Sequence, residues 1–127
     1  MPLLDGCRVL VVEDEYFLAS DIADALNAQG AVVVGPIGDL DVVIDQVNRD
    51  DGFDVAVLDI NLRDRAAYVV ADHLERAAIP FMFVTGYSAE VIPHRFRHVT
   101  RLEKPYDSNK LVQHVAQLCP ANAAIAS

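Results

Sequence analysis

The chain has 127 residues, of which 53% are hydrophobic, so it is long and apolar enough for one domain with a single buried core. Lys and Arg number 10 against 19 Asp and Glu, a formal net charge of −9, and no basic run or patch with interleaved aromatic residues stands out. This composition argues against direct nucleic-acid binding. No apolar run approaches the roughly 18 residues of a membrane span, and the first residues lack the pattern of a secretory signal, so we expect a cytoplasmic chain without a membrane partner.

Short apolar runs alternate with segments of helical periodicity along the chain. The first run, Arg8–Val12, is rich in Val and Leu, as expected for a strand covered on both faces. A helix is predicted to start at Asp14 or Glu15 and to stop at Gly30. The next predicted elements are a strand over residues 31–35, a helix after the N-cap residue Asp39, and a strand over residues 55–58.

The second half of the chain continues the alternation. The predicted elements are a helix around residues 68–78, strands over residues 81–84 and Arg101–Glu103, and a last helix over residues 111–118 that Pro120 closes. Between Thr85 and Lys104 there is little room and Pro93 interrupts the segment, so the helix there should be short or irregular. Strands alternating with helices indicate parallel βαβ units and an α/β fold. We expect one domain over residues 1–127, with its core at about residues 8–118 and a frayed tail at residues 121–127.

Polar residues stand where four of the apolar runs stop. They are Glu13 and Asp14 after the first run, Asp59 after the third, Thr85 and Gly86 after the fourth, and Lys104 after the fifth. In an open parallel sheet, ligands bind at the carboxyl ends of the strands, where these residues would meet. Three neighbouring carboxylates repel one another unless a cation relieves them, and Mg²⁺ binds one or two carboxylates together with water and phosphate oxygens. Lys104 then requires an anion, which a phosphoryl group supplies.

Each of these residues taken alone has an ordinary structural explanation. Glu13 and Asp14 could simply begin a helix, because carboxylates favour its first turn, and Asp59 or Thr85 could belong to turns. The hypothesis of a phosphoacceptor site therefore depends on their conjunction at matched strand ends.

Four motifs in order, VLVVEDE, VAVLDINL, FVTGYS and EKPY, resemble the receiver domain of two-component response regulators. The resemblance runs from about Arg8 to about Leu118. It implies a doubly wound, five-stranded parallel sheet in the order 2-1-3-4-5 with helices on both faces. The FVTG segment is similar to that of a variant receiver subfamily whose fourth strand reads Phe-Ala-Thr-Gly, known mainly from single-domain regulators of alphaproteobacteria.

The resemblance also implies roles for individual residues. Asp59 would accept the phosphoryl group of a phosphohistidine and contact Mg²⁺. Glu13 and Asp14 would hold the Mg²⁺ directly or through water, and Asn61 would offer the metal its backbone carbonyl.

The implied switch involves the fourth and fifth strands. Thr85 would move to the phosphoryl oxygens after transfer, and Lys104 would pair with another of them. The position three residues before the lysine is commonly an aromatic that rotates on activation, whereas here it is Arg101. Because Gly86 has no Cβ, the backbone after Thr85 can change conformation at little steric cost. We therefore expect Thr85 and Gly86, rather than an aromatic side chain, to carry the signal.

The function implied is that of a stand-alone receiver that acts by binding another protein. Its partners would be a sensor histidine kinase or a histidine phosphotransfer protein, and a downstream protein. Such a domain phosphorylates and dephosphorylates itself and is not a turnover enzyme. We expect a monomer or weak homodimer.

Other functions stay open. The chain could be a phosphate sink or phosphorelay intermediate, or a degenerate receiver that binds partners without phosphorylation. It could also be a Mg²⁺-dependent phosphatase with an Asp nucleophile, although Asn61 stands where such an enzyme would benefit from an acid/base Asp. A flavin or nucleotide binder is disfavoured, because no glycine-rich loop follows the first strand.

Two further pairs of residues carry possible chemistry. Cys7 and Cys119 are far apart in sequence and form no CxxC motif, so we expect reduced thiols rather than a disulfide or a zinc site. His94 and His98 lie four residues apart without an evident third ligand, so an exposed or packed pair is expected instead of a metal site.

Overall fold

A computed structural model describes residues 3–13, 15–49, 52–60, 65–86 and 92–119. One parallel sheet contains β1 (Arg8–Val12), β2 (Val32–Ile37), β3 (Val55–Ile60), β4 (Phe81–Thr85) and β5 (Arg101–Glu103). The α-helices of the described residues are α1 (Tyr16–Ala28), α2 (Leu40–Asn48), α3 (Arg65–Arg76) and α4 (Ser108–Leu118). The strands lie in the order β2-β1-β3-β4-β5, which confirms the predicted α/β fold.

Side chains of each strand alternate between two apolar layers, because successive residues of a strand face opposite sides of the sheet. Val9 and Val11 lie in the layer that α1 and α4 cover, whereas Leu10 and Val12 lie in the layer that α2 and α3 cover. Both faces are therefore buried, which explains why the strands read as nearly continuous apolar runs. None of the described helices could cross a membrane.

Aspartate side chains begin two of the helices. Asp39 accepts hydrogen bonds from the amides of Asp41 and Val42 at 3.0 and 3.4 Å, as the sequence predicts for an N-cap. Asp107 accepts one from the amide of Asn109 at 2.8 Å. The second cap places the first turn of α4 directly after the Lys104 loop.

The described part of the connection between β4 and β5 is irregular, as expected. Residues 87–91 lie outside the described residues, and the remainder contains a single 3₁₀ turn, His94–Phe96. Phe96 is fully buried and stacks on Tyr68 with ring centroids 5.7 Å apart. Arg95 forms an ion pair with Asp72 at 3.2 Å. These contacts fasten the turn to α3.

Both histidines of this connection are exposed. His98 Nε2 lies 3.3 Å from Glu75 Oε1, and among the described residues neither His94 nor His98 belongs to a cluster of metal-ligating groups. The expectation of an exposed pair agrees with this placement.

The prediction that Cys7 and Cys119 are reduced thiols is wrong in this structure, which joins them in a disulfide. Their Cα atoms are 6.5 Å apart although 112 residues separate them. Cys7 stands just before β1 and Cys119 just after α4, and α4 runs back across the sheet. The fold thus brings both residues to the amino edge of the sheet, which their spacing in the sequence does not reveal.

The strand β2 is longer than predicted, because it continues through Gly35 and Pro36 to Ile37. A proline is tolerated here since β2 is an edge strand. The register between β1 and β2 shifts at this point, where β2 carries an extra residue as a β-bulge. Gly35 has a φ of +103°, and a Cβ on it would lie 2.8 Å from the Val11 carbonyl oxygen.

We expect Gly35→Ala to lower the free energy of unfolding by more than about 2 kcal/mol, because it adds a backbone clash to the strain of a positive φ. Gly52→Ala is the matched control, since Gly52 also has a positive φ, of +77°, but nothing lies within 4 Å of its Cβ position. It should cost about 1 kcal/mol. Urea unfolding of the two variants measures the difference, and equal losses would contradict the role assigned to the clash.

Candidate functional site

The carboxyl ends of β1, β3 and β4 lie side by side. Val12 is paired with Leu58, and Ile60 with Thr85. Glu13, the residue after β1, therefore stands beside Asp59 in β3. The structure thus brings Glu13, Asp59, Thr85 and Lys104 to one edge of the sheet as the sequence predicts, whereas Asp14 and Asn61 lie outside the described residues.

Lys104 connects this edge through both its side chain and its backbone. Its Nζ lies 2.9 Å from Asp59 Oδ2, and the Asp59 side chain is only 9% exposed. Its amide donates to the carbonyl oxygen of Thr85 at 2.8 Å, and its peptide bond to Pro105 is cis. The ammonium is therefore held against the end of β3 by a backbone bonded to the end of β4.

Glu13 is buried, with 4% of its surface exposed. One carboxylate oxygen accepts a hydrogen bond from the amide of Glu15 at 2.9 Å. Burial, and next the neighbouring Asp59, raise the pKa of Glu13 to about 8 from an ordinary value of 4.5. The two carboxylates of the site therefore offer more negative charge than the single ammonium of Lys104 can neutralise.

Two carboxylate oxygens of the site are buried without a hydrogen-bond partner in the described part of the chain. They are Glu13 Oε2 and Asp59 Oδ1. Buried polar atoms of native proteins normally have a partner. Neighbouring buried carboxylates that lack donors for these oxygens fit a hard divalent cation, which takes oxygen ligands and removes the repulsion between the carboxylates.

Thr85 is the last residue of β4 and is fully buried. By strand alternation it shares a face with Phe81 and Phe83, whereas Asp59 shares the opposite face with Val57. The strand pleat therefore places the Thr85 and Asp59 side chains on opposite faces of the sheet. A Thr85 hydroxyl that reaches a group on Asp59 would have to turn at the end of β4.

Two other predicted switch residues flank this strand end. Gly86 is exposed, and a Cβ on it would meet nothing within 4 Å. Arg101 is half-buried and begins β5, opposite Phe83. The side chain at the position of the family's aromatic is thus a cation at the rim of the sheet.

Tyr106 is a site neighbour to which the sequence assigned no role. It is half-buried, and burial, followed by the charges of Glu13 and Asp59, raises its pKa to about 12. It lines a cavity of about 330 Å³ between α1 and α4, together with Glu15, Leu18, Asp21, Ile22, Lys104, Pro105, Ser108 and Leu111. The sequence signal that could have pointed to Tyr106 is its position directly after Lys104 and Pro105. The sequence does not show, however, that Tyr106 lies next to the carboxylates.

The chain matches the response regulator receiver domain family over residues 9–116, and it belongs to that family. The predicted resemblance is therefore confirmed. The chain is a receiver domain of two-component phosphorelay signalling.

Solved structures of receivers superpose on the whole fold. SdrG from Sphingomonas melonis Fr1 is 34% identical, with a TM-score of 0.74 over 93% of this chain and 98% of that chain. The BeF3-activated conformation of SdrG, from Pseudomonas melonis Fr1, is also 34% identical, with a TM-score of 0.73 over 87% of this chain and 95% of that one.

Two curated relatives are longer proteins. The transcriptional regulatory protein PdtaR of Mycobacterium tuberculosis is 26% identical over 109 residues, 83% of this chain and 53% of PdtaR. The sensor protein TorS of Escherichia coli is 28% identical over 97 residues, 76% of this chain and 10% of TorS. The chain thus spans about half of one relative and a tenth of the other.

We expect the metal-free protein to lose stability as the pH rises from about 4.5 to about 8. In this window folded Glu13 keeps a proton that the unfolded chain releases, so unfolding becomes more favourable by at most about 1.4 kcal/mol per pH unit. Urea unfolding in a chelator, across this window, measures the slope. Glu13→Gln should remove that contribution, and parallel profiles for the two proteins would contradict the assignment.

Proposed function

We propose that the domain accepts a phosphoryl group on Asp59 with the help of Mg²⁺ and thereby switches its binding to another protein. It acts as a signalling switch and not as a turnover enzyme. The observation that carries this proposal is the state of the Asp59 carboxylate. One oxygen is paired with Lys104 at 2.9 Å, and the other, beside Glu13, is buried and has no hydrogen-bond partner among the described residues.

Glu13 and Asp59 would hold the metal, with Asp14 and the Asn61 carbonyl as the further ligands that the sequence predicts. When bound, Mg²⁺ neutralises charge on the phosphoryl oxygens. The two unpaired carboxylate oxygens support this assignment, because a cation gives both of them a partner.

The residues of the chain perform the transfer by position and charge. An Asp59 oxygen forms the bond to phosphorus as the bond from phosphorus to the donor's imidazole nitrogen breaks. The Lys104 ammonium, already at Asp59, passes to an oxygen of the incoming group. The acyl phosphate carries about two negative charges, enough to form one or two new charge-assisted hydrogen bonds.

The phosphoryl donor would be a histidine kinase or a histidine phosphotransfer protein in the cytoplasm. The cavity between α1 and α4 borders Lys104 and gives a concave surface next to the acceptor. Phe17, in the first turn of α1, is 78% exposed and offers an apolar contact nearby. A helical donor could rest on this surface while its histidine reaches Asp59.

The signal would leave the site through the end of β4. The Thr85 hydroxyl turns towards the phosphoryl oxygens, and the exposed Gly86 absorbs the backbone change. The chain is fastened to α3 again by Phe96. The surface formed by Gly86 and residues 92–96 is therefore the one to which we expect a downstream protein to bind.

Incubation with Mg²⁺ and acetyl phosphate should add one hydroxylamine-labile phosphoryl group to the protein but none to Asp59→Asn. Asp41→Asn, which changes an exposed carboxylate on α2, is the matched control and should be phosphorylated like the parent. Intact mass measures the product. Equal labelling of Asp59→Asn would contradict the assignment of the acceptor, and no labelling of any form, without Mg²⁺ binding, would favour phosphorylation-independent partner binding.

Gly86→Ala should be phosphorylated at a rate within about twofold of the parent, because its Cβ meets nothing within 4 Å. It should nevertheless lose most of the change in amide chemical shifts that phosphorylation causes in residues 92–103, since alanine restricts the backbone there. Gly52→Ala, at the opposite edge of the sheet, is the control. Unchanged shift differences in Gly86→Ala would remove Gly86 from the switch.

A further inference from the structure

The two cysteines of the chain meet at the amino edge of the sheet, opposite the edge that holds Asp59. Cys7 directly precedes β1, and Cys119 is the residue that ends α4. Their side chains are 1% and 0% exposed, and the structure joins them in a disulfide.

Backbone hydrogen bonds hold both cysteines independently of their sulfur atoms. The Cys7 amide donates to the Leu4 carbonyl at 2.8 Å, and the Cys7 carbonyl accepts from the Val32 amide at 2.8 Å. The Cys119 amide donates to the Val115 carbonyl at 2.9 Å. The backbone bonds that place the two cysteines therefore do not depend on the bond between their sulfurs.

Asp54 adds a fixed negative charge to this pair. A carboxylate oxygen of Asp54 and the two sulfurs all lie within 4.8 Å of one another. The carboxylate is held in place because its Oδ2 accepts from the Arg8 amide at 2.9 Å. Since like charges repel, Asp54 opposes a pair of thiolates here but has no such effect on a neutral disulfide. This charge favours a disulfide over two free thiolates.

We propose that Cys7 and Cys119 form a reversible oxidation site, at which a hydroperoxide closes and a dithiol reductant opens a cross-link between the start of the sheet and the end of α4. In a cytoplasmic protein, the location proposed above, such a disulfide is usually transient or redox-sensing. Cys119 lies at the end of α4, and helix ends open more readily than a core, which would admit a small oxidant to the buried sulfurs.

The chemistry balances as a two-electron oxidation. One thiol attacks the peroxide, so that a sulfur–oxygen bond forms, the oxygen–oxygen bond breaks and water leaves if the oxidant is hydrogen peroxide, or an alcohol if it is an organic hydroperoxide. The second sulfur then displaces the oxygen as water, and the disulfide forms. Each cysteine loses one proton. A dithiol reverses the step by returning two electrons and two protons and is itself oxidised to a disulfide.

The cross-link closes nearly the whole domain into one loop, since 112 residues separate its ends. Closing so long a loop should raise the melting temperature by about 10 °C. It fastens the carboxyl end of α4, whereas the amino end of that helix adjoins the Lys104 loop. Because Asp59 lies at the other edge of the sheet, both redox forms should accept a phosphoryl group. A failure of the phosphoacceptor proposal can therefore be distinguished from a failure of the redox proposal.

The test compares the full chain, purified under reductant, before and after treatment with hydrogen peroxide. Denatured samples are alkylated with iodoacetamide, and the intact mass of the protein is measured. The reduced protein should take two alkyl groups, the oxidised monomer none, and dithiothreitol should restore both. The melting temperature should fall on reduction in the parent, but should not respond to reductant in Cys7→Ser or Cys119→Ser. Hydrogen exchange of the amides in the last turn of α4 should be faster in the reduced form.

Three results would overturn the proposal, and all can be obtained with the parent protein alone. Both thiols could remain open to alkylation after peroxide, or the oxidised product could be a disulfide-linked dimer. The reduced protein could also retain one Zn²⁺ per chain and then resist peroxide, which would make Cys7, Asp54 and Cys119 a metal site.

Discussion

Glu13 and Asp59 are held side by side where water is largely excluded. The other groups of the site compensate for the repulsion between these two carboxylates. Desolvation makes each negative charge costly, and the strand register places the two residues side by side. Lys104 pairs with one oxygen of Asp59, and its charge offsets the effect of burial on Glu13 only in part. Because the pKa of Glu13 is raised, a bound proton can remove the repulsion between the two carboxylates. A divalent cation removes it more strongly. A site left short of positive charge in this way favours metal binding, and with the metal it favours the arrival of a phosphoryl group.

The same edge is also where the chain can transmit a change. Lys104 is bonded through its side chain to β3 and through its amide to the Thr85 carbonyl, so a movement of either partner reaches the other through one residue. The connection that follows β4 has no α-helix in its described part, and it is fastened to α3 at Phe96. Gly86, which has no Cβ, follows β4, and the chain is held to α3 again at Phe96. This arrangement can work without the rotating aromatic that Arg101 replaces.

Much of the fold and of the site could be predicted from the sequence, because the strands and the site residues are both marked by local sequence patterns. Apolar runs that end in Glu13, Asp59, Thr85 and Lys104 indicate both the parallel sheet and the edge at which they converge. The features that could not be predicted depend on contacts between distant segments. The contact between Cys7 and Cys119 follows from the course of α4 across the sheet, and the extension of β2 through Pro36 follows from its place at an edge. Likewise, the position of Tyr106 beside the carboxylates depends on how the Lys104 loop folds against α1.

The bulge in β2 bears on how copies of the domain can meet. An exposed edge strand is a template on which another chain can add a strand, and a proline removes one of the amides that such an addition needs. Pro36 and the extra residue beside Gly35 interrupt β2 in this way, and the strand at the opposite edge, β5, is only three residues long. Neither edge therefore offers a long regular template. Strand addition at either edge is thus disfavoured, which lowers the risk of open-ended polymerisation through the sheet.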